Sequence, residues 1–361
     1  MFESLPSLII SIDNDYQSIH FFSIDKKEKK VSHSVEFYKS EAFSEDFFEM
    51  LKNVVKLHAG KKGGKAVLLL PDRVFFTDTV IVPSVQKAIN ASLNLAVETL
   101  YKNYNDLSIN FSPLFQNKKT TSFALVGVRK EILNKTVKAI EQGGIAIGGV
   151  TFYSNAIVNG AISVNPKLKN ATCVLADVQP HRTCLCLMVG GKTVGFYALP
   201  FGVDVLSEDA VNVEGDLFEH SSAELLVLNA IERARRKRLT VAEDDETEGE
   251  EDKSKQGKKA YRLPKSMLAN PVTPEEFVYE NLCTIAKWIT EFAIANKEYV
   301  PDGQFENVYI NIPEKYHEAV EKLNGDGNLK FTALEGEADS LKNLGLIGGQ
   351  FIKKFNKTNN F

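Results

Sequence analysis

Two aspartates stand where an apolar run breaks into a polar turn. Asp13 follows Leu8-Ile9-Ile10-Ser11-Ile12 and leads into Asn14-Asp15-Tyr16, and Asp177 follows Cys173-Val174-Leu175-Ala176 and leads into Val178-Gln179-Pro180-His181-Arg182. A carboxylate at a strand end can coordinate a divalent cation, or it can accept hydrogen bonds from its own turn. His181 and Arg182 could contact an anion, although basic residues in an exposed turn are the simpler reading.

Other chemistry finds little support. The six histidines are scattered, with no HExxH pair, no Gly-x-Ser-x-Gly and no placeable Ser/His/Asp set, so an independent hydrolase has no basis. Cys173, Cys184, Cys186 and Cys283 form no CxxC pair, and no metal site is expected. Cys184 and Cys186 lie two apart on a predicted strand, hence on one side, where they should pack as small apolar groups. Free cysteines in a chain of 361 residues suggest a reducing, cytoplasmic compartment. The loop Gly60-Lys61-Lys62-Gly63-Gly64 lacks the spacing of a phosphate-binding P-loop.

With 43% hydrophobic and 25% charged residues the composition is that of a globular protein, and the length suggests two lobes. A net charge of -4 gives no reason to expect nucleic-acid binding. No apolar run is long enough to span a membrane, and the beginning MFESLPSLII does not resemble a signal peptide.

The elements that would position the two aspartates follow from periodicity. Residues 8–38 alternate as an antiparallel meander, and Ser44 caps a helix carrying Phe47, Phe48, Leu51 and Val55. Lys65–Leu70 reads as a buried strand with Val74–Pro83 as its neighbour. A helix over 85–101 follows, then strands at 107–115 and 122–128, a helix over 130–142 ending at Gly143-Gly144, and a strand leading into a small-residue helix over 154–163. Two strand-Asp-turn-strand units roughly half a chain apart suggest related halves, the second extended by a Gly190-Gly191 hairpin. A helix over 223–238 ends in Arg233, Arg235, Arg236, Lys237 and Arg238, and eight of the ten residues in 243–252 are acidic. Such opposed charge blocks read as solvated, so 241–270 is expected to be a flexible insertion. A helix over 274–296, a strand over 307–312, a helix over 314–323 and a helical tail over 338–355 complete the chain.

In this order the elements resemble the actin and sugar-kinase superfamily, and more narrowly the type IV pilus assembly protein PilM family, related to FtsA. The resemblance rests on Ala66 to Pro71 followed by Val74 to Pro83, on residues 84–150 with Asn110 to Leu114 and Phe123 to Val128, on Cys173 to Asp177 with the following hairpin up to Gly202, and on the closing Leu344-Gly345-Leu346-Ile347-Gly348-Gly349. It implies an α/β, two-lobed actin-like (ribonuclease H-like) fold with a small inserted α+β subdomain. Residues 1–83 would begin the first lobe, 84–150 form the insert and 151–170 return to the first lobe. Residues 171–240 and 271–361 would form the second lobe on either side of 241–270.

In that superfamily, paired Asp hairpins and a glycine turn hold a nucleotide, with glycine letting backbone N–H groups approach the phosphates. Here the corresponding positions carry Asp13-Asn14-Asp15-Tyr16, Asp177-Val178-Gln179-Pro180 and Asn311-Ile312-Pro313, where Pro180 has no N–H to give. The resemblance with these departures implies a degenerate nucleotide site, capping roles for both aspartates, no cofactor and no ATP turnover. The alternative is an ATP-Mg-binding actin-like switch, with an FtsA-like division protein as a third reading. The expected function is a cytoplasmic scaffold of a type IV pilus or type II secretion platform, meeting the membrane only through its partner and open to homo-oligomerisation. The implied partner is the cytoplasmic tail peptide of a PilN-like inner-membrane protein, held in a groove between the insert and the first lobe, with Ile89, Leu93, Val97, Ile109 and Phe111 as candidate lining.

Overall fold

A computed structural model describes residues 8–13, 17–25, 30–58, 65–84, 89–180, 182–199, 202–206, 274–300, 305, 307–325 and 329–351. Asn14, Asp15, Tyr16, His181, the basic helix end, the acidic run, the segment 241–270 and the chain beyond Phe351 lie outside the described residues.

Two five-stranded sheets repeat one topology. In the first, β1 (Leu8–Asp13), β2 (Ser18–Asp25) and β3 (Lys30–Phe37) form an antiparallel meander, while β4 (Lys65–Leu70) and then β8 (Ala146–Phe152) add in parallel, giving the order β3-β2-β1-β4-β8. In the second, β9 (Cys173–Val178), β10 (Thr183–Val189) and β11 (Lys192–Leu199) form the meander, and β12 (Asn307–Asn311) and β13 (Lys330–Ala333) add in parallel, giving β11-β10-β9-β12-β13. The expected related halves are present. Gly190 and Gly191, with φ of 56° and 74°, supply the left-handed turn between β10 and β11.

The near-continuous apolar run of β4 reflects burial on both faces, as a central parallel strand requires. Ala66, Leu68 and Leu70 face α1 (Glu45–His58) and α3 (Lys130–Gln142), whereas Val67 and Leu69 face α4 (Tyr153–Val164) and α8 (Leu344–Gly349). Ser44 caps α1 as expected, accepting the Phe47 N–H at 3.2 Å. In the second sheet Leu185 and Leu187 pack with Leu282, Ile285 and Ile289 of α5 (Pro274–Ala295) and Val320 of α6 (His317–Lys322), and α7 (Ala338–Lys342) leads into α8. Cys184 and Cys186 share the opposite side with Cys173 and Met188, against α4. That is the same-side apolar packing their spacing suggests.

The helix pair α4 and α8 therefore contributes to the cores of both lobes. Ser154 through Ile162 are all buried. A Cβ on Gly160 would collide with the Leu344 carbonyl, and one on Gly348 with the Ala156 carbonyl, so the small residues of the closing helix serve close packing.

A third sheet, β5-β7-β6, is built from β5 (Phe75–Pro83), β7 (Thr120–Arg129) and β6 (Leu107–Gln116). The expected pairing of β4 with β5 is not found: β4 lies between β1 and β8, and β5 pairs with β7. A 3-10 turn at Asp72–Val74 redirects the chain between them. Helix α2 (Ile89–Leu100) covers this sheet, and α3 returns the chain through Gly143 and Gly144 to β8.

Candidate interlobe site

Asp13 is the last residue of β1, and Asp177 lies at the corresponding end of β9, the equivalent strand of the other sheet. The equivalent parallel neighbours, β4 and β12, end next to Asp72 and at Asn311. Ligands of open α/β sheets commonly bind at the carboxyl ends of strands. Here side chains from both sheets meet at that end.

Arg182, entering β10, sets an Nη1 2.8 Å from Asp13 Oδ2, and the two side chains are 15% and 9% exposed. Its Nε donates to Gln179 Oε1 at 3.0 Å, and its guanidinium lies 4.7 Å from the centre of the Tyr153 ring. The Gln179 amide then donates to Tyr153 Oη at 2.8 Å and to Asp177 Oδ2 at 2.7 Å. The other Asp177 oxygen accepts from Asn311 Nδ2 at 2.5 Å, and Asn311 also donates to the Leu341 carbonyl at 2.8 Å. The turn itself is closed by the Gln179 N–H on the Arg182 carbonyl. Val178 is buried in the core behind it, and Pro180 is exposed.

Asp72 completes the cluster. Its carboxyl oxygens accept from Ser154 N at 2.8 Å and Ser154 Oγ at 2.7 Å, at the start of α4. The residue keeps some surface exposure, yet its carboxyl group is enclosed, and that desolvation raises its pKa to about 6 against the Ser154 hydrogen bonds and the Arg182 charge. Burial also raises the pKa of Asp177, opposed by hydrogen bonds from Asn311 and Gln179. Nearby His20 is pushed down, first by burial and then by His33, whose ring nitrogen lies 3.0 Å away.

Of the candidate residues, the structure brings Asp13, Asp177, Gln179 and Asn311 into one network. Sequence reasoning missed Asp72, Ser154 and Tyr153, although an aspartate directly after Leu70-Pro71 at a strand end is the same signal that marked Asp13. Arg182, expected at most to contact an anion, is paired with Asp13. Among the described residues no group of three or more metal-ligating side chains is present.

The five candidate groove residues turn inward. Leu93 and Val97 are buried against Val80, Val82, Phe123 and Leu125, with half-buried Ile89, Ile109 and Phe111 packed on them. They form the core of the insert, and the buried pair presents no surface to a partner. A different groove of about 390 Å³ lies between α3 and β8, at the edge of the first sheet. Half-buried Leu133, Val137 and Ile147 and buried Val150 line it, with exposed Lys138 and Glu141 at its side.

No protein-family model matches the chain, and no curated protein sequence matches it. Solved structures do. The structure is similar to the PilM–PilN type IV pilus biogenesis complex over 97% of this chain and 98% of that one, with a TM-score of 0.55 at 13% identity. Weaker likenesses are to the ethanolamine utilization protein EutJ from Carboxydothermus hydrogenoformans, at 9% identity, 97% and 90% coverage and a TM-score of 0.42. Another is to the cytoplasmic domain of EpsL, an inner-membrane component of the Vibrio cholerae type II secretion system, at 13% identity, 57% and 75% coverage and a TM-score of 0.37. At such identities the likeness is one of architecture: the chain has the two-lobed actin-like α/β fold.

Proposed function

We propose that this chain is a PilM-like cytoplasmic scaffold in the inner-membrane platform of a type IV pilus or type II secretion machine, without ATP turnover. The observation that carries this reading is the interlobe network: Arg182 neutralises Asp13, and Gln179 with Asn311 satisfies Asp177. Groups that would otherwise meet a cation or phosphate already have partners, and leaving one member of a buried ion pair uncompensated costs about 3–5 kcal/mol. The likeness to PilM over nearly the whole chain supports the scaffold reading over that of an unrelated actin-like enzyme.

The partner is the cytoplasmic tail of a PilN-like membrane protein, and its seat is the groove between α3 and β8. Apolar side chains from Leu133, Val137 and Ile147 offer a surface for alternate residues of an extended peptide. Strand β8 lies at the edge of its sheet, so such a peptide can also add to it as a further strand. Among the described residues no helix is long and apolar enough to cross a membrane, which fits attachment through a partner.

Calorimetric titration with a synthetic peptide of the partner's cytoplasmic tail tests this reading. Saturable binding to the full chain, abolished by Val137→Glu and retained in Leu100→Glu on the exposed side of α2, is expected. Absence of binding to the unmodified chain refutes the docking role.

A further inference from the structure

Asp13 and Arg182 belong to different sheets, so their ion pair ties one lobe to the other. Both side chains are largely withdrawn from water, which limits screening of their attraction. Arg182 is also held from its own lobe by Gln179 and stacked on Tyr153, the first residue of α4. Beside Tyr153, Ser154 fixes Asp72 at the root of the insert. The network thus joins the carboxyl ends of β1, β4, β9 and β12 to the start of the central helix. On the other side of the site, Asn311 reaches the Leu341 carbonyl and so ties in the closing segment.

We infer that Arg182 is an interlobe latch: the chain's own guanidinium, gripping Asp13 across the cleft, fixes the closure of the two lobes without any bound molecule. This goes beyond the docking role and does not depend on the identity of a partner. The physical reason for opening when the latch is lost lies in the carboxylates. Without the Arg182 charge, the repulsion between the Asp13 and Asp72 carboxylates is no longer offset by it, and both gain by admitting water. Beyond its Tyr153–Ser154 end, α4 packs with α8 mainly through apolar side chains shared with both cores, so that packing remains as the hinge while the strand ends separate. Opening is therefore expected as a change in lobe position, not as unfolding.

The test places spin labels on exposed positions of each lobe, through Lys56→Cys on α1 and Lys287→Cys on α5, in a Cys283→Ser background of the full chain. Cys173, Cys184 and Cys186 are buried and need no replacement. Pulsed electron-spin distance measurement should give one narrow distribution for the parent. Arg182→Met, which keeps bulk and removes charge, should give a longer and broader one with the circular dichroism unchanged. Asp13→Asn, which breaks the ion pair but also removes the repulsion between Asp13 and Asp72, should broaden the distribution with a smaller lengthening. Unchanged narrow distributions in folded Arg182→Met overturn the latch. Should Arg182→Met fail to fold, Asp13→Asn decides by the same criterion. An unmoved distance with intact tail-peptide binding removes the latch and leaves the docking role standing, and a moved distance without peptide binding does the reverse.

Discussion

Asp72 carries a buried carboxyl group whose hydrogen bonds do not compensate its loss of water. With its pKa raised to about 6 from 3.8, the native state holds this proton more tightly than the unfolded chain does. Asp72 therefore reduces stability fully above pH 6, and the penalty is relieved as pH falls from about 6 towards 3.8. The shift corresponds to up to roughly 3 kcal/mol, less for the solvent exposure the residue retains. Asp72→Asn keeps an acceptor for the Ser154 N–H and removes the charge. Its stability, measured by urea unfolding at a series of pH values, is expected to fall less steeply than the parent's between pH 4 and 6. An identical pH slope would show that Asp72 does not titrate there. Arg182→Met leaves Asp13 without its counter-charge, and a loss of about 3 kcal/mol in the same assay is expected at neutral pH. At this scale the sequence identifies Asp13 and Asp177 because each interrupts an apolar run. It does not identify Arg182 as the partner of Asp13, since nothing local in Pro180-His181-Arg182 specifies a contact to another sheet.

The strongest element-level constraint is the crossing of α4 and α8. Gly160 and Gly348 bring each helix onto the other's backbone carbonyls, so a side chain there must push the pair apart. Gly160→Val is expected to cost about 1–3 kcal/mol or more in urea unfolding, through overpacking between two backbones that cannot yield like a side chain. A change within about 0.5 kcal/mol would mean the helices separate freely. The small residues of both helices are visible in the sequence, and so is the reason for them. The pairing of β5 is not. Strands adjacent in sequence usually lie side by side, and that rule placed β5 next to β4. The turn at Asp72–Val74 instead carries β5 into the insert, and β4 receives β8 from far along the chain. The stripe on α2 illustrates a related limit. Periodicity identifies Leu93 and Val97 as one apolar face, but only the position of β5 and β7 reveals that the face is covered. The groove between α3 and β8 is not legible in the sequence, because Leu133 and Val137 repeat at helical spacing like any core stripe and only their position beside the edge strand β8 shows that they border a groove.

Across the whole molecule, two copies of one sheet topology face a shared helix pair, and the ends of their central strands meet at Arg182. The repeat was legible from two strand-Asp-turn-strand units. The mutual pairing of the site's side chains was legible only as the absence of glycine from its turns. The proposed scaffold role requires an interlobe site satisfied by its own side chains. Calorimetric titration of the full chain with ATP in excess magnesium tests it most directly. No saturable heat is expected, for the parent or for Asp177→Ala. Saturable, magnesium-dependent binding that Asp13→Ala or Asp177→Ala abolishes would contradict it.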